Sequence, residues 1–134
     1  MKILGIDIGG SGIKAAIVDT KSGKLISERH RIPTPKSATP KAISKVIEKM
    51  INHFNWNSAV GCSFPTTIIN GKCKHHGNLS NKWLNVKVDA FFENKCNVPF
   101  YISNDADLAG IAEVNLGAGK EEKGLIIVIT IGTG

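Results

Sequence analysis

Alternating apolar and polar residues predict three short strands at the start of the chain. Residues 2–8 and 13–18 alternate in this way, and a turn composed almost entirely of glycine joins them. A polar turn follows, and residues 25–32 alternate well enough to form a third strand. Because short turns join the consecutive strands, we expect all three strands to be antiparallel.

An amphipathic helix is the clearest element that the pattern predicts. Thr39 is a suitable N-cap, and Pro40 suits the first helical position. Apolar residues then recur on one helical face, at Ile43, Val46, Ile47, Met50, Ile51 and Phe54. This stripe predicts a face that packs in the core and carries no chemistry.

The rest of the pattern alternates strands with helices. Strands are predicted at 59–64, 98–103 and 125–131, a small hairpin at 67–74, and helices at 88–94 and 106–116. This order predicts an α/β domain in which helices flank a mixed sheet.

The last predicted strand weakly repeats the start of the chain. Residues 125–131 run into Gly132-Thr133-Gly134, just as residues 2–8 run into the first glycine turn. A duplicated fold would begin its second half at this point. We therefore expect residues 1–122 to form one domain and residues 123–134 to be the first strand and turn of a second domain.

Composition narrows the class of protein. The 134 residues are 42% hydrophobic and 21% charged, as in a folded globular domain. No apolar run approaches the roughly 20 residues that a membrane span needs. Cys62, Cys73 and Cys96 lack metal-ligand spacing, which favours reduced thiols. We therefore expect a cytoplasmic protein without a membrane partner.

The net charge of +6 is compatible with a polyanionic partner, although scattered surface lysines explain such a charge more often. The lysines are not interleaved with aromatic residues, as they tend to be in proteins that bind single-stranded nucleic acid. We therefore expect no nucleic-acid partner.

The first glycine turn is a candidate phosphate site. Gly9, Gly10 and Gly12 allow a ligand to approach backbone N–H groups, and consecutive N–H groups form a concave anion site. Ser11 adds a hydroxyl, as Thr130 and Thr133 do beside the second turn. Asp7 could hold Mg²⁺ through water. The alternative is a tight hairpin whose glycines serve only the turn.

A strand-to-helix junction offers a candidate catalytic carboxylate. Asn104 and Asp105 follow a predicted buried strand and begin a helix, and ligands in such sheets bind at the carboxyl ends of strands. A carboxylate here could accept the proton of an attacking hydroxyl, but Asn and Asp at such junctions are often only N-caps. In the polar loop nearby, Asn78 and Trp83 could hold a sugar, although a lone tryptophan is more often a packing anchor. His75 and its neighbour lack the partners of a metal site.

Taken in order, several segments resemble the ROK family of sugar kinases, within the superfamily of actin-like and hexokinase-like ATPases. The segments are residues 7–14, 33–40, 61–65, 78–83, 104–113, 117–119 and 130–134. The Gly-Ser-Gly-Ile-Lys of the first segment is similar to that of the bacterial polyphosphate glucokinases in this family. The resemblance implies a ribonuclease H-like fold.

The resemblance also implies a reaction, the transfer of a phosphoryl group from inorganic polyphosphate or ATP to the 6-hydroxyl of glucose with Mg²⁺. Asp105 would be the general base, Asn78 and Asn104 would bind the sugar, and Pro65 and Thr66 would shape its pocket. Two glycine turns would hold the donor phosphates from opposite sides, through Asp7, Gly9, Gly10, Ser11, Gly12, Lys14, Thr130, Gly132, Thr133 and Gly134.

The chain departs from the family's pattern in places. Thr66 stands where glycine is common, and Ser80 and Lys82 stand where we expect Asp and Ser. In the family, the region after the second turn supplies a His and Glu pair for the sugar, often a zinc site, the nucleotide pocket and much of the dimer interface. We therefore expect these 134 residues to be inactive alone and the full-length protein to be a homodimer.

Three alternatives stay open. One is an ATP-dependent ROK kinase for fructose or an N-acetylhexosamine, and another is a non-catalytic sugar-binding module. A sugar-responsive repressor is less favoured, because that type carries a DNA-binding segment before the kinase-like domain and here the first strand begins at Lys2.

Overall fold

The computed structural model describes residues 1–131. Its strands are β1 (Lys2–Ile8), β2 (Gly12–Asp19), β3 (His30–Pro33), β4 (Val60–Phe64), β5 (Ile68–Ile69), β6 (Lys72–Cys73) and β7 (Phe100–Asn104). Its α-helices are α1 (Pro40–His53), α2 (Val88–Cys96) and α3 (Asp105–Leu116), and a 3₁₀ turn spans Asn81–Trp83.

A mixed five-stranded sheet organises the domain, with the strand order β3-β2-β1-β4-β7. Strand β2 pairs antiparallel with both β1 and β3, while β4 pairs parallel to β1 and β7 pairs parallel to β4. The predicted mixed sheet with three antiparallel N-terminal strands is thereby confirmed. Strands β5 and β6 form a separate small hairpin. Its turn residues Asn70 and Gly71 both have positive φ, as the Asn-Gly pair predicts.

The core lies on one face of the sheet, beneath α1 and α2. Thr39 caps α1 as predicted, accepting a hydrogen bond from the Ala42 N–H at 3.3 Å. The predicted stripe of α1 is buried, apart from the partly exposed Phe54. It packs with alternate residues of the strands, including Leu4, Ile6, Ile8, Val60, Cys62 and Phe64.

The opposite face of the sheet is more open and carries a mixture of glycine, polar and apolar side chains. Gly5, Asp7, Lys14, Gly61 and Ser63 alternate along β1, β2 and β4 with the buried core residues, and none of these five is fully buried. We call this the open face. Its polar side chains are accessible to a ligand.

The third strand is shorter than predicted, since β3 begins at His30 and not at residue 25. Leu25 and Ile26 do run beside β2, where they make a bridge to Val18 and one bond to the Ile17 carbonyl. The ladder stops there because the Ser27 hydroxyl accepts the Ile17 N–H at 2.9 Å. The Ser27 side chain thus accepts the backbone N–H that would otherwise bond to a carbonyl of a continuous strand.

The strand predicted at residues 125–131 is absent from the described structure. Leu125 and Ile131 are 91% and 95% exposed. The segment lies along α3, where a Cβ added to Gly110 would be 3.7 Å from Val128 Cγ2. Apolar β-branched residues predict a strand only where a neighbouring backbone can pair with them, and α3 offers none. The boundary at residue 122 stays a prediction.

The described helices are all too short or too polar to cross a membrane. The three cysteines are unpaired thiols. Burial raises the pKa of Cys96 to about 11 and raises the pKa of Cys62 further still. These thiols therefore pack as small apolar groups and are poor nucleophiles.

Candidate active site

A cleft of about 620 Å³ lies at one edge of the sheet. Strands β1, β4 and β7 are parallel, so their carboxyl ends meet at this edge. The cleft is lined by Gly9, Gly10, Pro65, Thr66, Thr67, His75, Gly77, Asn78, Leu79, Asn104, Asp105 and Ala106. The fold thus brings the first glycine turn, the candidate base and all four predicted sugar-binding residues to one place.

The remaining predicted phosphate residues are not in this cleft. Asp7 and Lys14 line a second cavity, of about 390 Å³, on the open face. Thr130 lines a third cavity, beside α3. Residues 132–134 lie outside the described structure, so the second glycine turn stays a prediction.

Hydrogen bonds from β3 and from the residue that follows it hold the carbonyl groups of the glycine turn. The Gly9 N–H donates to the Gly12 carbonyl at 3.1 Å, which closes the turn. The Thr34 hydroxyl donates to the Gly9 carbonyl at 2.5 Å, and Arg31 Nη2 donates to the Ser11 carbonyl at 2.9 Å. Because the carbonyls are bound from outside, the turn has a fixed shape in which N–H groups can receive an anion.

Two glycines of the turn differ in what a side chain would meet. A Cβ at Gly9 would lie 2.9 Å from the Gly12 carbonyl oxygen, whereas a Cβ at Gly10 would meet nothing within 4 Å. Gly9→Ala should therefore lower the free energy of unfolding by about 1–3 kcal/mol. Gly10→Ala should leave stability unchanged but weaken phosphate-donor binding, because its methyl group occupies the cleft. Thermal unfolding and calorimetry with polyphosphate measure the two effects.

The outcome separates the two interpretations of the turn. If Gly10→Ala binds the donor as tightly as the unmodified chain, the glycines serve only the backbone, and the phosphate site is elsewhere.

Asp7 is held by two partners from adjacent strands. The Ser63 hydroxyl donates to its Oδ1 at 2.5 Å, and Lys14 Nζ lies 3.9 Å from its Oδ2. The side chains of Lys14 and Asp7 are 44% and 52% exposed, so the ion pair itself contributes little to stability. Ser63 was missed by the sequence analysis, although the alternation of buried Cys62 and Phe64 places it on the open face with Asp7.

Asp7 could hold a Mg²⁺ ion only together with ligands that the described chain does not supply. Within the described chain, no group of three or more His, Cys, Asp or Glu side chains could enclose a metal. Mg²⁺ usually keeps several waters and takes one or two carboxylates plus the substrate's phosphates. A half-exposed Asp7 beside the glycine turn is a carboxylate that could serve as one such ligand.

Asp105 is the first residue of α3, and its neighbour serves as the helix cap. Asn104 Oδ1 accepts hydrogen bonds from the N–H groups of Ala106 at 2.9 Å and Asp107 at 3.3 Å. The exposed Asp105 carboxylate also accepts from Ala106 N–H, at 2.9 Å. Since Asn104 provides the cap, α3 does not require a carboxylate at Asp105, and that carboxylate remains accessible from the cleft.

Hydrogen bonds link this helix start to the loop on the far wall of the cleft. Asn104 Nδ2 donates to the Thr66 carbonyl at 3.1 Å, and the Thr66 hydroxyl donates to the His75 carbonyl. Thr66 is only 7% exposed. The side chain that stands where the family commonly has glycine is therefore mostly buried, and its hydroxyl ties two walls of the cleft together. The Asn104 amide has a second Nδ2 hydrogen that the bond to Thr66 does not use.

His75 is a cleft residue that the sequence analysis missed. Its Nδ1 accepts the Gly77 N–H at 3.1 Å, so a neutral ring carries its proton on Nε2. The His75 and His76 rings are stacked 5.5 Å apart, and neither belongs to a group of three or more metal-ligating side chains in the described chain. Trp83 is fully buried, so it is a packing anchor and does not stack on a sugar.

Comparison with known proteins identifies the family. The model of the ROK family matches residues 3–134. The chain is 40% identical to the polyphosphate glucokinase of Mycobacterium tuberculosis over 131 residues, which are 97% of this chain and 49% of that protein. It is 30% identical to the glucokinase of Streptomyces coelicolor, over 98% of this chain and 41% of the other.

A solved structure agrees with this match. The inorganic polyphosphate/ATP-glucomannokinase of Arthrobacter sp. strain KM superimposes with a TM-score of 0.94 at 41% identity, over 99% of this chain and 55% of that one. The predicted fold of the actin-like and hexokinase-like ATPases is confirmed by such neighbours. The chain spans about half the length of the curated relatives it matches. The matched segment covers almost the whole chain, which therefore belongs to the ROK family.

Proposed function

We propose that the protein is a glucokinase that transfers a phosphoryl group from inorganic polyphosphate or ATP to the 6-hydroxyl of glucose. One observation carries the proposal: the glycine turn and the Asp105 carboxylate line the same cleft. Phosphoryl transfer needs the donor phosphates and the acceptor's base side by side, with the attacking and leaving oxygens in line. The relatives that carry the names polyphosphate glucokinase and polyphosphate/ATP-glucomannokinase support the choice of substrates.

Each part of the cleft has a role in this proposal. Asp105 accepts the proton of the sugar's 6-hydroxyl as the hydroxyl attacks. Asn78 and Asn104 bind sugar hydroxyls, and Pro65 and Thr66 form the wall against which the sugar rests. These roles agree with the exposed carboxylate of Asp105 and with the bond from Asn104 to the Thr66 carbonyl.

The donor side lies at the glycine turn. Gly9, Gly10, Ser11 and Gly12 hold phosphate oxygens through the backbone, with Lys14 nearby. The second turn, with Thr130, Gly132, Thr133 and Gly134, is proposed to close over the same phosphates. Asp7 would hold Mg²⁺, which when bound neutralises charge that develops on the phosphates. We further propose a cytoplasmic homodimer without nucleic-acid or membrane partners for the full-length protein.

The proposal is tested by measuring glucose 6-phosphate formed from glucose with polyphosphate or ATP. The assay uses the 134-residue chain alone and the chain joined to the part of the M. tuberculosis enzyme that it does not match. We expect turnover from the joined protein and none from the chain alone. Product from fructose or an N-acetylhexosamine in place of glucose would favour the alternative kinase. Glucose binding by calorimetry without turnover in either form would favour a non-catalytic module.

A further inference from the structure

Two arginines lie on the open face, and one of them contacts the glycine turn. They are Arg29 and Arg31, and the sequence contains no others. Arg31 is the cross-strand partner of Lys14 in the pairing of β2 with β3, so the two cations share one face of the sheet. Like charges placed directly opposite each other destabilise a sheet. The fold keeps them together next to a turn that is suited to phosphate.

The Arg31 guanidinium is docked on the turn itself. A Cβ at Gly12 would lie 2.5 Å from Arg31 Nε and 2.7 Å from its Cζ, so only glycine allows this approach. Arg31 Nη2 also donates to the Ser11 carbonyl at 2.9 Å. A guanidinium has five N–H donors in a planar fork. One bond to Ser11 therefore leaves several donors at the rim of the turn, on an exposed side chain.

Arg29 extends the positive charge away from the turn. It lines the cavity on the open face that also contains Lys14, Asp7 and Ser63. Asp7 is the one acidic residue among the side chains that line this cavity. We call Lys14, Arg29 and Arg31 the cationic strip. Its three cations outnumber the single carboxylate beside them.

We propose that the cationic strip binds the phosphates of an inorganic polyphosphate chain that extend beyond those held in the glycine turn, and so favours polyphosphate over ATP as donor. The inference rests on the proposed function. Polyphosphate continues as a row of charged phosphates, whereas ATP continues as an uncharged nucleoside, which offers arginine no further phosphate oxygens. Arginine's fork suits phosphate oxygens. The lining residues of the cavity include no aromatic side chain of the kind on which nucleic-acid bases stack.

The test measures binding of fluorescein-labelled polyphosphate to the 134-residue chain by anisotropy, at several salt concentrations. Arg29→Gln and Arg31→Gln should each weaken binding about tenfold, the loss typical of one charge-assisted contact. Each should also lower the slope of log affinity against log salt by about one. The ATP affinity of the joined protein, which includes the region expected to hold the nucleotide pocket, is measured by calorimetry. It should stay within about twofold for Arg29→Gln, whose side chain lines the open-face cavity and not the cleft.

Lys24→Gln is the matched control, because it makes the same change of charge in the turn at the other end of β2. It should change polyphosphate affinity less than Arg29→Gln does. If Lys24→Gln weakens polyphosphate binding as much as Arg29→Gln does, net charge alone explains the affinity, and the proposal of a cationic strip is wrong. An equal loss of ATP and polyphosphate affinity in Arg29→Gln would also contradict it. A single-stranded RNA of equal charge that binds as tightly, through the same arginines, would indicate a nucleic-acid site instead.

Glucose is absent from this experiment, which separates its failure from that of the kinase proposal. Selective polyphosphate binding without any glucose phosphorylation would support the cationic strip and contradict the proposed glucokinase function. If Arg29→Gln lowers the rates of glucose phosphorylation from polyphosphate and from ATP equally, the glucokinase function is supported and the role of the cationic strip is contradicted. Circular dichroism melting of each variant confirms that the fold is retained.

Discussion

Asp105→Asn is expected to slow glucose phosphorylation by a factor of about 10²–10⁴, the usual contribution of a general base. Asparagine has nearly the same shape and can accept the Ala106 N–H that Asp105 Oδ1 accepts at 2.9 Å. It cannot take up a proton from the sugar hydroxyl. The loss should therefore appear in kcat, with little change in the KM for glucose. Initial rates of glucose 6-phosphate formation by the joined protein, at varied glucose, measure both constants.

Asp107→Asn is the matched control for this experiment. Asp107 is exposed, lies on the same first turn of α3, and carries the same charge, but it does not line the cleft. Its rate should stay within about twofold of the unmodified protein, as for a typical surface substitution. If both variants lose activity equally, the negative charge at the helix start matters and no proton transfer to Asp105 is required. If Asp105→Asn keeps its full rate, the base is another group.

The local sequence predicted the elements that build the cleft. The stripe of α1, the Thr39 cap and the Asn70-Gly71 turn all depend on residues close together in the chain, and each was predicted with its correct structure. The junction at Asn104 and Asp105 was found for the same reason. The sequence did not predict which of these two residues would cap the helix, because both side chains can reach the first N–H groups.

The contacts that shape the site come from distant parts of the chain. Ser63 reaches Asp7 because β1 and β4 pair in parallel in a register that places the two residues side by side. Arg31 reaches Ser11 because β3 folds back on β2. Ser63 and Arg31 are ordinary polar residues on short strands, and the local pattern shows which face they occupy but not which residue they contact. Such contacts follow from the register of the sheet, and that register cannot be read from the local pattern of a single sequence.

The two strand predictions that failed have a common cause. Residues 25–29 alternate as a strand does, but the Ser27 hydroxyl takes the N–H of Ile17 that a longer ladder would need. Residues 125–131 are apolar and β-branched, but in the described structure they lie along α3. In both places the side-chain pattern permits a strand and the backbone partner is missing. A strand depends on its neighbour as much as on its own residues.

Trp83→Ala is expected to cause the largest loss of stability. Trp83 is fully buried and makes edge contacts with Phe64, Phe91 and Phe92, at centroid distances of 5.0, 5.9 and 5.8 Å. Removing such a side chain from a core costs about 3–5 kcal/mol. That is a large part of the about 5–15 kcal/mol that stabilises a typical domain. The urea midpoint should fall by about 1–5 M, given a typical dependence on urea of about 1–3 kcal/mol per M.

A second variant separates the packing of Trp83 from its hydrogen bond. Trp83 Nε1 donates to the carbonyl of Ala38 at 2.8 Å, and Ala38 has an unusual φ of 42° for a residue with a side chain. Trp83→Phe keeps most of the packing but removes this donor. The loss should cost only about 0.5–1.5 kcal/mol, because the Ser80 N–H still donates to the same carbonyl at 3.4 Å. Trp56→Ala, at a partly buried tryptophan outside the cleft, should cost less than Trp83→Ala. If instead Trp83→Ala lost sugar affinity while the urea midpoint stayed unchanged, Trp83 would be a sugar-stacking residue, and the packing role would be wrong.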